Sequence, residues 1–302
     1  MPRGSRRAAS LFSFGHPCGC SPKVVYFLQC ILAFLVKAVL FQGRGNMIFS
    51  DYHTHTVYSH GTGSCEQNVL AAIERGLSRI AISEHGPAHL FYGVRNERLR
   101  ALRREVDSLA CRYANDIEVL LGLECNLTDF GECDAPDDAP AMCDVLLLAF
   151  HKGVLLKSPF MRRLGGEAFG LTKNDPIKTA QALLTAAEKY RITAFSHPGL
   201  YVKSDIATLA KGASELGVLL EINGARVTMS KEELQLANEL GANFLIGSDA
   251  HKPKNVGNFT LALDAAREAG VIDGVLNYVP DLPAPIFLPG YASEVRGVGA
   301  ES

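Results

Sequence analysis

From Met47 onward, short apolar runs alternate with helical stretches, and this order constrains the fold more than any other feature. The runs span 47–52, 79–83, 118–123, 145–150, 192–196, 218–221 and 243–247. Each is rich in Ile, Val, Leu or Phe, the pattern of a strand buried on both faces. The stretches between them carry helix punctuation. Gly76 closes 65–75, and a charged stretch spans 96–113. Asp175-Pro176 opens 177–190, with proline at the first helical position. Ser204 is the expected cap of 205–216, which ends at Gly217. Ser230-x-x-Glu233 forms a capping box for a helix ending at Gly241, and 259–269 stops at Gly270. Repeated strand–helix order implies an α/β chain with a parallel sheet and right-handed crossovers. Seven units of this kind are barrel-sized. An open doubly wound sheet competes, but no Gly-x-Gly-x-x-Gly follows the first run. Residues 151–172, with Gly165, Gly166 and Gly170, read as a long loop.

The N-terminal segment differs from the rest. Residues 1–46 hold six basic residues and no acid, leaving 24 basic and 32 acidic residues in 47–302, a net of −8. That balance argues against a nucleic-acid coat, so no stable nucleic-acid partner is expected. The 47% apolar content excludes disorder as the main state. The apolar run 24–41 is interrupted by Gln29 and Lys37, at the margin of the ~20 residues that a spanning helix needs. Three readings stay open: a translated upstream extension with the functional start at Met47, a membrane anchor, or a targeting peptide. The expected organisation is an extension over 1–46, a barrel domain over 47–290 and a flexible tail over 291–302. Cys18, Cys20 and Cys30 fall in the extension. Cys65, Cys111, Cys125, Cys133 and Cys143 form no Cys-x-x-Cys pair, which points to free thiols in a reducing, cytoplasmic setting. Oligomeric state is not legible.

Seven of the nine histidines lie at, or just after, the C-terminal end of an apolar run. In Asp51-Tyr52-His53-Thr54-His55 the two histidines alternate, so both point the same way along an extended segment. His60 follows in the turn. His85, Glu124, His151 and His197 close the next four ligand-bearing runs, and Asp249-Ala250-His251 repeats the alternating pair after the last. The C-terminal rim of a parallel barrel is where functional groups converge. One histidine at a strand end is usually a satisfied polar residue. Seven, with two carboxylates of one ligand chemistry on one face, are not explained that way, because burying them unpaired would cost several kcal/mol each. Imidazole and carboxylate suit Zn, Mn or Fe, and nine donors suit about three divalent ions. His16 and His89 are left over. His89 is expected to be exposed or near a substrate mouth.

These residues resemble the PHP (polymerase and histidinol phosphatase) family. The likeness runs from Met47 to the 250s through Asp51-x-His53-x-His55, His60, Glu84-His85, Glu124, His151, His197 and Asp249-x-His251. It implies a distorted (β/α)7 TIM-like barrel with a trinuclear metal site on the C-terminal face of the strands. It also implies one ion on His53, His55, Glu124 and Asp249, a second on His60, His85 and His251, and a third on Glu124, His151 and His197, with Glu124 bridging. The activity implied is phosphoester hydrolysis. The free-standing length resembles the histidinol-phosphatase-like branch.

Clustered divalent ions would supply hydroxide near neutral pH and neutralise the phosphoryl oxygens. No Gly-x-Ser-x-Gly nucleophile motif is present. Asp249, Glu124 and His251 are the expected catalytic groups. His251 and a bound water compete for the role of general acid. Arg226 and Lys152 are the expected phosphate contacts, with Lys252 and Arg162-Arg163 behind them. Asp51 and Glu84 are expected to orient neighbouring histidines, and Asn223 to orient Arg226 or a ligand. The expected function is a metal-dependent phosphomonoesterase on a small phosphorylated metabolite. A phosphodiesterase or exonuclease is the alternative, and a non-catalytic metal-binding or membrane-tethered module the alternative of another class.

Overall fold

In this computed structural model the described residues are 47–279, and they begin with two short strands, β1 (Met47–Ile48) and β2 (Ser50–Asp51). The segments 1–46, including the run 24–41 and His16, and 280–302, including the tail 291–302, lie outside the described residues. The strands that follow are β3 (Arg79–His85), β4 (Glu118–Asp129), β5 (Glu132–Cys133), β6 (Val145–Ala149), β7 (Ala194–Phe195), β8 (Leu219–Asn223), β9 (Phe244–Gly247) and β10 (Tyr278–Val279). Seven of them pair in parallel in the order β2-β3-β4-β6-β7-β8-β9. Beyond β9, Thr54 and Ala250 form a parallel bridge, and the His55 N–H donates to the Ala250 carbonyl at 2.8 Å. The sheet thus nearly closes into the distorted (β/α)7 barrel, joined on its two edge segments by the residues that carry the paired histidines. β1 and β10 form a separate antiparallel pair.

The helices are α1 (Cys65–Glu74), α2 (Asn96–Arg112), α3 (Ala139–Met142), α4 (Pro159–Ala168), α5 (Pro176–Tyr190), α6 (Ile206–Leu216), α7 (Lys231–Glu239) and α8 (Thr260–Ala269). Two apolar layers hold them. Ala81, Val145, Leu147, Ala194 and Leu245 fill the barrel interior. Ile80, Ile82, Leu121, Leu123, Leu148, Phe195 and Leu220 belong to the larger core, which includes buried residues of the helices. Period-two alternation then aims the donors. β3 and β4 pair Ala81 with Leu120, Ser83 with Gly122 and His85 with Glu124. Every second residue shares a face, so the interior line climbs from apolar floor to donors.

Three local expectations are corrected. Residues 151–172 are not one loop, because α4 lies within them. Ser158 accepts from the Met161 N–H, Pro159 opens the helix, and Met161 and Leu164 are buried. The poor helix propensity of Gly165-Gly166 hid this helix in the sequence. The cap of α6 is Asp205, whose carboxylate accepts from the Thr208 N–H at 2.8 Å, while the Ser204 hydroxyl has no partner. Asp205→Ala should therefore cost about 1 kcal/mol in denaturant unfolding, and Ser204→Ala should change stability by less than about 0.5 kcal/mol. Finally, β4 does not end at Leu123. It runs on to Asp129 and turns through Gly131 into β5. Glu124 was expected at the end of the strand, yet it and Asn126 are both buried strand positions.

Candidate metal centre

Glu124 is the hub of the C-terminal rim. Its Oε1 lies 2.8 Å from His197 Nε2, and 3.3 Å from both His53 Nε2 and His151 Nε2. Its Oε2 lies 3.0 Å from His85 Nδ1 and 3.6 Å from His55 Nε2. A single fully buried carboxylate thus reaches five imidazoles contributed by four separate segments. Asp249 Oδ1 is the second anionic centre, at 3.4 Å from His55 Nε2 and 3.6 Å from both His53 Nε2 and His251 Nδ1. Ring nitrogens of His53 and His55 face each other at 3.2 Å.

Four sets of donors lie within 4.8 Å of one another: His55, His85, His251; His53, His55, Glu124; His53, His197, Asp249; and His85, Glu124, His151. Eight of the nine donors expected from the sequence fall in these sets. His60 is the ninth. Its ring stacks 4.8 Å from His85 and sits 4.1 Å from His251, edge to face. Three of the four sets mix donors that the family likeness assigns to different ions: His55 lies with His85 and His251, His85 with Glu124 and His151, and His197 with His53 and Asp249. His197 nevertheless keeps the shortest approach to Glu124.

The donor chemistry fits divalent cations. His55 Nδ1, His60 Nδ1, His85 Nδ1 and Glu124 Oε2 are buried without a hydrogen-bond partner. His85 Nδ1 approaches Glu124 Oε2 to 3.0 Å without the geometry of an aligned hydrogen bond. Buried polar atoms left unpaired are costly, so several at one point mark a site that takes a ligand.

Electrostatics divide the cluster. Burial would raise the Glu124 carboxyl, but His151 and His53 beside it hold it well below the usual carboxylate range. Burial works against a charged His53, and Glu221, Glu124 and Asp249 overcome that and raise it well above the usual histidine value. Burial lowers His55 well below that value, with His85 and His53 adding to the effect. Burial lowers His85 too, and His60 falls to about 3 through burial and the neighbouring His251 and His85. Burial thus favours the neutral, lone-pair-bearing form of His55, His60 and His85.

Two donors sit in left-handed backbone, His197 at φ 30° and Asp249 at φ 51°. Non-glycine residues rarely adopt this conformation, and it is concentrated at functional positions. Glu221 secures one of them. Its Oε2 accepts from the His197 N–H at 2.8 Å and from Asn223 Nδ2 at 3.0 Å, while its Oε1 lies 2.7 Å from His53 Nδ1. Glycine is required at 247 because a Cβ there would collide with Glu221 Oε1 and His53 Cβ. The sequence reading missed Glu221. The available signal was a carboxylate two residues before Asn223 in an otherwise apolar strand.

The orienting roles also shift. Asp51 takes three backbone N–H groups, of His53, Ser248 and Gly257, so it ties the two edges of the barrel together and does not grip a histidine ring. Glu84 accepts from Thr56 and Ser59, and its carboxylate lies 3.9 Å from His55 Nδ1. Burial pushes Glu84 up to about 7 despite those hydrogen bonds. Asn223 Nδ2 donates to Asp249 Oδ2 at 3.2 Å, and its Oδ1 accepts from the Arg226 backbone N–H at 2.9 Å. The Arg226 side chain is exposed and is not among the lining of the cavity over the cluster, whereas Lys152 is. Lys252, Arg162 and Arg163 are exposed. That cavity holds about 360 Å³. His89 is buried and lines it, so of the two expected places it takes the mouth.

A second orienting chain runs through residues the sequence did not flag. Asn126 Oδ1 accepts from His151 Nδ1 at 2.8 Å, and Asn126 Nδ2 donates to Asp134 at 2.6 Å. This fixes the His151 tautomer and turns Nε2 toward Glu124. Asn126→Ala should lower metal affinity about tenfold in a competitive chelator titration, with the fold retained by circular dichroism.

The family model for the PHP domain matches residues 51–260. The chain belongs to the PHP domain family. It is 30% identical over 229 residues to a probable phosphatase of Shewanella sp. strain MR-4, covering 70% of this chain and 80% of that protein. It is 28% identical over 244 residues to a probable phosphatase of Thermoanaerobacter sp. strain X514, covering 75% of this chain and 89% of that one. Among solved structures, the Lactococcus lactis histidinol phosphate phosphatase, complexed with zinc, L-histidinol and phosphate, is similar in fold. The TM-score is 0.53 at 17% identity, covering 76% of this PHP chain and 94% of that one.

Proposed function

We propose that this PHP-family protein is a metal-dependent phosphoester hydrolase, and specifically a phosphomonoesterase acting on a small phosphorylated metabolite. The observation that carries the reading is Glu124, one carboxylate within 3.6 Å of five histidines beneath an open cavity. The phosphatase relatives and the histidine-rich donor sets support it. In this proposal His53, His55, His60, His85, Glu124, His151, His197, Asp249 and His251 hold about three divalent ions, drawn from Zn, Mn and Fe. Such ions lower the pKa of bound water and neutralise phosphoryl charge.

The remaining work falls to the chain. Glu221 and Asn126 fix the tautomers of His53 and His151, and Ser196 donates to Glu124 Oε1 at 2.9 Å. His251 Nδ1 lies 2.8 Å from the Asp249 carbonyl, which leaves Nε2 for a ligand or a leaving oxygen. Lys152, on the cavity wall, is proposed to meet a phosphoryl oxygen, and Arg226, which is exposed and outside that lining, is proposed as a further contact from the rim. Cytoplasmic placement belongs to the same proposal. The five cysteines among the described residues are free, which supports it, and no helix among those residues is long and apolar enough to cross a membrane.

The test compares a small phosphomonoester with a short oligonucleotide under Zn, Mn or Fe. Preferential release of phosphate from the monoester is expected. Preferential cleavage of the oligonucleotide would replace the reading with a phosphodiesterase. Inertness of metal-loaded protein toward a broad panel would leave a metal-binding module.

A further inference from the structure

The walls of the cavity bear on which phosphate ester enters it. Phe91, Tyr92, Phe169, Leu200 and Tyr201 form its mouth above the donors. Phe91 is 79% exposed and Phe169 58%, so both rings are open to a ligand that enters the cavity. Tyr92 stacks on His60 at 4.4 Å and on His89 at 5.0 Å, which extends the imidazole layer outward as a flat aromatic wall. On the other side the Lys152 ammonium lies 5.2 Å from both the Phe169 and the Tyr201 ring centroids, in cation–π range of each.

Charge is as one-sided as shape. Among the described residues lining the cavity, the only carboxylates are Glu124 and Asp249, both at the centre of the donor cluster. Lys152 is the only lysine or arginine in that lining. A positively charged leaving group would meet a cation at the mouth and no uncommitted acid to pair with. A flat neutral or anionic ring would meet aromatic faces and one ammonium.

Resting on the phosphomonoesterase reading above, we propose that the alcohol part of the substrate carries a flat ring and no positive charge. This separates the protein from any enzyme selecting an aminoalkyl phosphate. Ring stacking and apolar contact at the mouth supply the preference, and Lys152 disfavours cations.

The experiment uses the full metal-loaded chain and three esters of similar leaving-group basicity: benzyl phosphate, propyl phosphate, and benzyl phosphate bearing a 4-aminomethyl group. The expected kcat/KM for benzyl phosphate exceeds that for propyl phosphate by about tenfold and that for the ammonium-bearing ring by about fivefold. Phe169→Ala should shrink the benzyl-to-propyl ratio, and Lys152→Met should shrink the penalty on the cation. Equal rates for benzyl and propyl, or the fastest turnover for the cationic ring, would overturn the proposal. Binding of the matching phosphonates is measured alongside. If no ester is turned over but benzylphosphonate binds about tenfold tighter than propylphosphonate, the ring preference stands and the hydrolytic reading falls. If the phosphonates bind alike, the ring preference falls, whatever the protein hydrolyses.

Discussion

Glu124→Gln is expected to reduce phosphomonoester turnover by at least about 10³-fold, some 4 kcal/mol of transition-state stabilisation. The substitution keeps the shape of the side chain and removes its charge. Five histidine nitrogens then surround a neutral amide in place of the carboxylate that faces His53, His55, His85, His151 and His197. Whichever way the amide turns, an NH2 group confronts ring nitrogens that should share a cation with it. Elemental analysis of the variant should show loss of at least one metal equivalent. Circular dichroism should still report a folded barrel, since the apolar floor of Ala81, Leu147, Ala194 and Leu245 is untouched. Turnover within about tenfold of the parent would remove Glu124 from the centre of the account.

Glu221→Ala carries the second large effect. It deprives His53 Nδ1, the His197 N–H and Asn223 Nδ2 of one shared acceptor. His53 would lose its fixed tautomer, and His197 would lose the hydrogen bond on its left-handed backbone. Metal affinity should fall by about 10–100-fold, the range for residues that orient ligands. Stability should fall by about 3 kcal/mol, because a buried hydrogen-bonded charge partner is removed. Glu221→Gln retains an acceptor and should recover much of the metal affinity. A purely structural role would instead lower stability in both variants while leaving affinity alone. An alanine variant that holds metal as tightly as the parent would contradict the orienting role.

Much of this protein was legible in its sequence, for a definite reason. Strands buried on both faces must be apolar throughout, so a histidine or glutamate at their ends stands out. The alternating pair His53/His55 was visible because an extended segment repeats every second residue, whereas Asp249 and His251 follow β9 and Asp249 is left-handed, so their convergence is not a strand repeat. Glu124 was found for the same reason, although its strand continued six residues past the expected end. Asp134 and Asn126 were not found. They act through contacts made by a β-hairpin at Gly131, and nothing local to Asn126 shows that it faces a histidine 25 residues away. Glu221 was passed over because one buried carboxylate inside a strand looks like a strand terminus until its partners are seen. Helix α4 was lost behind two glycines, and the α6 cap was placed one residue early because serine and aspartate serve that role about equally well.

The most direct test of the central claim is metal content and phosphatase turnover measured on one purified preparation. About three divalent equivalents per chain are expected, with hydrolysis of small phosphomonoesters that disappears with chelation and returns on adding metal back. Full turnover from protein holding less than one equivalent would contradict that claim.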